Sequence, residues 1–205
     1  MLSEGASGRH SPRWPSPSIH PDGTRCGHPR ASERKRIVKP DLFWIPGTWR
    51  GRLAIAVRPR GGDWLSDEVK GWRQAGADVV VSLLEEGEAD QLNLLGERDA
   101  VESNAMSFLS YPIADRGTPA STREALSLIT QIVDQLDAGK NVILHCRQGI
   151  GRSGLIAAGV FVTSGAGSNE ALRAVSDARG INVPETIEQR RWVEKLGSRM
   201  AFTKP

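Results

Sequence analysis

One stretch of the chain constrains its fold more than any other. The apolar triplet Val142–Leu144 runs into the glycine-rich segment His145-Cys146-Arg147-Gln148-Gly149-Ile150-Gly151-Arg152-Ser153-Gly154, which runs directly into the apolar octet from Leu155 to Val162. A short apolar triplet reads as a buried strand. An octet that is apolar all round reads as a helix inside the core. A buried strand feeding a buried helix through a tight loop needs structure on every side, and only a layered α/β arrangement supplies it.

The flanking sequence supports that reading. Leu42 to Ile45 and Leu53 to Val57 predict strands, and Leu65, Val69 and Trp72 share one face of a helix. Val79 to Leu84 is a continuous apolar run broken only by Ser82, as expected of a strand covered on both faces. A Glu- and Leu-rich stretch over 85–100 predicts a helix, and Met106 to Ile113 a strand. Ser121 and Glu124 form a capping-box pattern ahead of the stripe Ala125, Leu128, Ile129, Ile132, Val133 and Leu136, which stops at Gly139. Two further helices are expected over 168–179 and 185–200, the second opened by Pro184 in its first turn. The pattern predicts an α/β fold: a central, mainly parallel sheet with helices on both faces. No internal repeat is visible.

Residues 1–40 do not share this texture. They hold six of the 12 prolines and three of the 4 histidines, with no helical or alternating period, so they cannot bury enough surface to offset ordering entropy. A disordered, basic Pro/Ser/Arg-rich tail is expected there, with the folded domain over 41–205. The prolines argue against the amphipathic helix of an organellar transit peptide, and no charged n-region precedes an apolar run. Eight basic and three acidic residues give this stretch a local excess of +5 within a chain of net +3, leaving the remainder at −2. Basicity therefore gives the folded domain no reason to bind nucleic acid. The two cysteines, Cys26 and Cys146, are far apart and lack metal-ligand spacing, so neither a disulfide, a metal nor another cofactor is expected. Cys26-Gly27-His28 has no partners nearby to complete a ligand set. No run is long and apolar enough to span a membrane, and a reducing, cytoplasmic setting fits best.

Three phosphate-related patterns compete for the glycine-rich segment. Gly149, Gly151 and Gly154 match GxGxxG, but late in the chain and without a following strand to carry a ribose-binding acid. A Walker loop fails at two defining positions, where Cys146 and Arg152 stand. Cys-x5-Arg-Ser gives every residue a task. Cys146, at the entrance to a helix N-terminus, is a nucleophile whose thiolate is favoured there. Glycines let the loop curl so that the N–H groups of 147–151 face a phosphate, and the Arg152 guanidinium can bind two phosphate oxygens at once. Ser153 can donate to the sulfur, and His145 can fix the loop through backbone. Asp115, in Tyr111-Pro112-Ile113-Ala114-Asp115-Arg116-Gly117, is a candidate acid for the leaving oxygen.

At these residues the sequence resembles the cysteine-dependent protein tyrosine phosphatase superfamily, whose hallmark is HCxxGxxRS/T. The late cysteine and upstream "P-x-x-D" acid loop are similar to its compact dual-specificity members. The resemblance implies a dual-specificity phosphatase-like fold and a phosphocysteine intermediate. Cys146, Arg152, Asp115 and Ser153 would be catalytic, and His145, Arg147, Gln148, Gly149, Ile150 and Gly151 would line the phosphate site. Gln189 falls where many members place a glutamine that positions the hydrolytic water; the alternative is a solvated helix residue. The implied partner is a phosphorylated protein carrying phosphotyrosine, with phosphoserine or phosphothreonine also accepted. Ile150 offers an apolar wall to an aryl ring, while Arg147 can point its side chain away. A phosphoinositide or other non-protein phosphatase, and a phosphate-binding pseudophosphatase adaptor, remain as alternatives.

Overall fold

The computed structural model describes residues 40–202, with side chains to 200. The expectations for residues 1–39, including the tail and Cys26, lie outside the described residues. Among the described residues, five strands form one sheet in the order β1-β2-β5-β3-β4. The strands are β1 (Leu42–Ile45), β2 (Leu53–Val57), β3 (Val79–Ser82), β4 (Ser107–Ser110) and β5 (Val142–Cys146). Only β1 runs antiparallel; β2, β5, β3 and β4 are mutually parallel.

Strand alternation divides the core in two. Leu53 and Ile55 of β2, Val79 and Val81 of β3, and Val142, Leu144 and Cys146 of β5 face one cluster, while Ala54, Ala56, Val80 and Ile143 face the other. Helices α4 (Thr122–Asp137), α5 (Arg152–Thr163), α6 (Ser168–Arg179) and α7 (Ile187–Phe202) supply the first, larger cluster. Helices α1 (Leu65–Gln74), α2 (Glu86–Gln91) and α3 (Glu97–Ser103) lie with the second. The expected two-faced α/β architecture is what forms. α5 is buried from Arg152 to Val160 and approaches α4 so closely that a Cβ on Gly159 would lie 2.7 Å from Ile129 Cδ1. No described helix is long and apolar enough to cross a membrane.

Several boundaries differ from the sequence reading. The helix expected over 85–100 is two short ones, because the chain turns at Asn93 (φ 55°) and restarts at Gly96, the N-cap of α3. The strand expected over Met106–Ile113 is only four residues long as β4, whereas β5 runs two residues past Leu144, through His145 to Cys146. Pro184 does not open α7. The helix begins at Ile187 behind Thr186, whose Oγ1 accepts from Gln189 N while Gln189 Oε1 accepts from Thr186 N, a reciprocal capping box.

Candidate active site

Cys146 ends β5 at the carboxyl edge of the sheet, in register with Val57 of β2, and α5 starts six residues later. The loop between them has no freedom to take larger residues at its turns. Gly149 has φ +66° and a Cβ there would meet Ala56 O at 2.6 Å, so only glycine fits. A Cβ on Gly151 would come within 3.1 Å of the Gln189 amide and 3.2 Å of Glu185 Oε2. No side chain caps the start of α5, which leaves its first N–H groups directed at the loop.

The thiol of Cys146 is 3% exposed. Burial opposes its ionisation, but the Ser153 hydroxyl and the backbone N–H groups of Ser153, Gln148 and Ile150 outweigh burial and lower its pKa below the ordinary thiol value. The Ser153 Oγ lies 3.4 Å from Sγ. His145 points to the opposite face of the sheet, as strand alternation requires. It packs near Trp72 with ring centroids 5.6 Å apart, and its Nε2 is 2.9 Å from Glu97 Oε1, a charge contact outside straight hydrogen-bond geometry. Burial disfavours its cationic form, yet the Glu97 carboxylate and the Cys146 thiolate and backbone raise its pKa overall. The main partner of His145 is thus a buried carboxylate from α3, where a backbone hydrogen bond was expected.

Arg152, 2% exposed, is the hub of the site. Its two terminal nitrogens donate to both oxygens of Glu88, at 2.5 and 3.0 Å. The nitrogen nearer Glu88 Oε2 also donates to Ile113 O at 3.0 Å, and the other donates to Asp115 Oδ1 at 3.0 Å. Burial pushes the Glu88 carboxyl up, but the Arg152 contacts, the Glu85 backbone and the charge of Arg147 bring it below its ordinary value. Asp115 sits on the loop between β4 and α4. That loop is held to the base of α7 by two contacts: Gln189 Nε2 donates to Gly117 O at 2.8 Å, and Arg116 meets Glu185 at 2.9 Å.

Cys146, Arg147, Gln148, Gly151, Arg152, Asp115, Arg116 and Glu185 line one small recess. The recess brings Cys146, Arg147, Gln148, Gly151, Arg152 and Asp115 together from two distant segments, whereas His145, expected to line it, faces the other side of the sheet, and Gly149, Ser153 and Gln189 are not among its lining. Ile150 does not line the recess. Half-buried, it packs on the larger core cluster, and only its N–H faces the sulfur. Arg147, expected to turn away, stands exposed on the rim. Gln189 is buried rather than solvated. Glu88, Glu97, Arg116 and Glu185 were missed: single charged residues in polar stretches carry no local sign of a partner far along the chain. Among the described residues, no group of three His, Cys, Asp or Glu side chains could hold a metal ion.

A nucleophile poised by N–H groups, facing a guanidinium and an aspartate, can carry out phosphoryl transfer through sulfur. Residues 56–166 match the family model of the polymorphic toxin system DSP-PTPase phosphatases. The chain belongs to the cysteine-dependent dual-specificity phosphatase superfamily. Among solved structures, the kinase-associated phosphatase (KAP) is similar at 18% identity and TM-score 0.72, covering 80% of this chain and 97% of KAP. Tk-PTP in its active form is 29% identical at TM-score 0.64, over 79% of this chain and 99% of Tk-PTP. PTPMT1 in complex with PI(5)P reaches 14% identity and TM-score 0.62, over 75% and 94%. The first and third of these likenesses concern the fold alone. The chain spans at most 61% of the length of the curated relatives it matches.

Proposed function

We propose that this phosphatase hydrolyses phosphotyrosine in proteins, accepting phosphoserine and phosphothreonine as well, through a phosphocysteine intermediate. The observation that carries the reading is the convergence of Cys146, Arg152 and Asp115 on one recess. In the first step the Cys146 thiolate attacks phosphorus. The S–P bond forms as the ester P–O bond breaks, and Asp115 gives its proton to the departing oxygen. Arg152 and the loop N–H groups hold the non-bridging oxygens as charge redistributes over them. Phosphate takes the place that Asp115 occupies on Arg152, which frees its carboxylate to take up a proton from solvent and turn toward the leaving group as the acid. In the second step water attacks phosphorus, Asp115 takes its proton, and the sulfur leaves as a thiolate that the Ser153 hydroxyl stabilises. Gln189, whose amide lies near Gly151 and is held by Thr186 and Gly117, is the candidate to orient that water.

A peptide substrate is supported by where apolar side chains reach the surface. Val57 pairs with Cys146 in the sheet, and Ile181 and Ile187 are close in sequence to Glu185, which lines the recess; they are 36, 43 and 63% exposed. Apolar side chains around a phosphate site suit an aryl ring and its peptide flanks better than a polyhydroxylated ring. No lysine lies between Cys146 and Arg152 to meet additional ring phosphates.

The test is Cys146→Ser in the full chain. Turnover of an aryl phosphate should vanish while phosphate-mimic binding persists; turnover within about tenfold of wild type would remove Cys146 from the nucleophile role. On the wild-type protein, kcat/KM should be about tenfold or more higher for a phosphotyrosine peptide than for a soluble phosphoinositide, and the reverse order would make it a phosphoinositide phosphatase.

A further inference from the structure

Arg179 closes α6, and Gly180 behind it adopts the left-handed conformation that ends the helix. From there the guanidinium reaches the outer side of the nucleophile loop. Nε donates to Gly149 O at 2.8 Å and a terminal nitrogen donates to Gln148 O at 3.1 Å. Phe43 of β1 lies flat beneath it, with the guanidinium carbon 3.9 Å from the ring centroid. None of these contacts is on the phosphate-facing side of the loop.

A loop that turns consecutive N–H groups inward must turn the attached carbonyls outward, where they need donors. A planar guanidinium can serve two adjacent carbonyls at once. The consequence is specific, because a peptide unit is rigid. The carbonyl of Gly149 and the N–H of Ile150 are opposite ends of one plane. Arg179 holds the first, and the second is among the donors that stabilise the Cys146 thiolate. A hydrogen bond to the carbonyl also polarises the unit and strengthens its N–H as a donor.

We infer that Arg179, braced by Phe43, is a positioning residue that orients the Gly149–Ile150 peptide toward the sulfur and the phosphate oxygens. It acts from outside the recess, through the loop backbone, and touches no substrate. The inference rests on the proposed phosphatase reading.

The experiment compares wild type, Arg179→Met and Arg179→Lys as full chains. Three quantities are measured: the pH profile of Cys146 alkylation by iodoacetate, followed by peptide mapping to separate it from Cys26; the affinity for vanadate; and the melting temperature. With Met, the alkylation midpoint should rise by about one pH unit, slowing labelling at low pH about tenfold. Vanadate should bind about tenfold or more weakly. Lys keeps the charge but loses the planar pair of bonds, so it should fall between Met and wild type. A merely structural role would lower the melting temperature and leave the alkylation midpoint of the folded fraction in place. A folded Arg179→Met variant with the wild-type midpoint and vanadate affinity would overturn the inference. Should that variant not fold, Phe43→Leu removes only the brace and should shift both readouts in the same direction by a smaller amount; wild-type values in it and in Arg179→Lys would overturn the inference equally. If the wild type itself shows neither vanadate binding nor a lowered alkylation midpoint, the phosphatase reading fails together with the inference.

Discussion

The connection from β3 to α3 and the connection from β4 to α4 each deliver a carboxylate to Arg152, under opposite conditions. Glu88 lies on α2, whose start is locked by a capping box between Glu85 and Glu88 itself; its side chain is 12% exposed and engages Arg152 through both oxygens. Asp115 lies on an irregular loop beside Arg116, which takes a left-handed φ of 57°; its side chain is 60% exposed and engages Arg152 through one oxygen. Half-buried, bidentate and helix-borne, the first carboxylate sets where the guanidinium points. The second is exposed and singly bonded, so it can let go. One cation thus has a bidentate partner and an exposed, singly bonded one, and in the proposed reaction phosphate takes the place of the second.

Asp115→Asn breaks the comparison most severely on the activity side. It should lower kcat by roughly 10²–10⁴ for a phenol-type leaving group, with the loss shrinking as the leaving group becomes more acidic. Its melting temperature should barely move, since the lost contact is largely exposed. A loss independent of leaving-group pKa, read from a series of substituted aryl phosphates, would show that Asp115 is not the acid.

Glu88→Gln should give the complementary result. It leaves the buried Arg152 short of its bidentate counter-charge, at a cost of about 2 kcal/mol of stability, with kcat/KM falling by about tenfold as the guanidinium loosens. The loss should be the same across leaving groups. pH provides an independent check. The Glu88 carboxyl is lowered in the folded protein, so its stabilisation is complete above the ordinary glutamate value of 4.5 and is lost as pH falls below that, through the folded value. Melting curves of wild type and Glu88→Gln should therefore converge toward acid pH; a constant gap would show that Glu88 contributes through packing alone.

Gln189→Ala is the mildest of the three. It removes a bond to the acid loop and half of the α7 capping box. Turnover should fall by no more than about tenfold, mostly in hydrolysis of the phosphocysteine, seen as a larger burst of phenol relative to the steady rate. A loss confined to the first step would assign Gln189 to holding the acid loop and not to water.

The fold was legible where the pattern is dictated by burial on the sheet. β2, α4 and α6 matched their sequence signals because their apolar spacing follows directly from which face is covered. The break between α2 and α3 was not legible, since Leu92 and Leu94 continue a helical-looking pattern while Asn93 reverses the backbone between them. The start of α7 was hidden by Pro184, a familiar helix opener, although Thr186 and Gln189 carried the capping pattern that decides it. At the site, Cys146 and Arg152 declare themselves because their spacing is local. Glu88 does not, because it meets Arg152 across 64 positions and nothing in its neighbourhood distinguishes it from the other acids of that stretch.

β5 lies between two parallel neighbours and leads into a helix covered on all sides, and this arrangement also governs how the molecule comes apart. Residues there can exchange their amide protons only when the domain unfolds as a whole, whereas the loop bearing Asp115 can open by itself. Mild heat or denaturant would then displace Asp115 well before Cys146. Under the proposed mechanism, a range of conditions then lies between those two events in which Cys146 would form a phosphoryl adduct with a good leaving group but fail to expel a poor one.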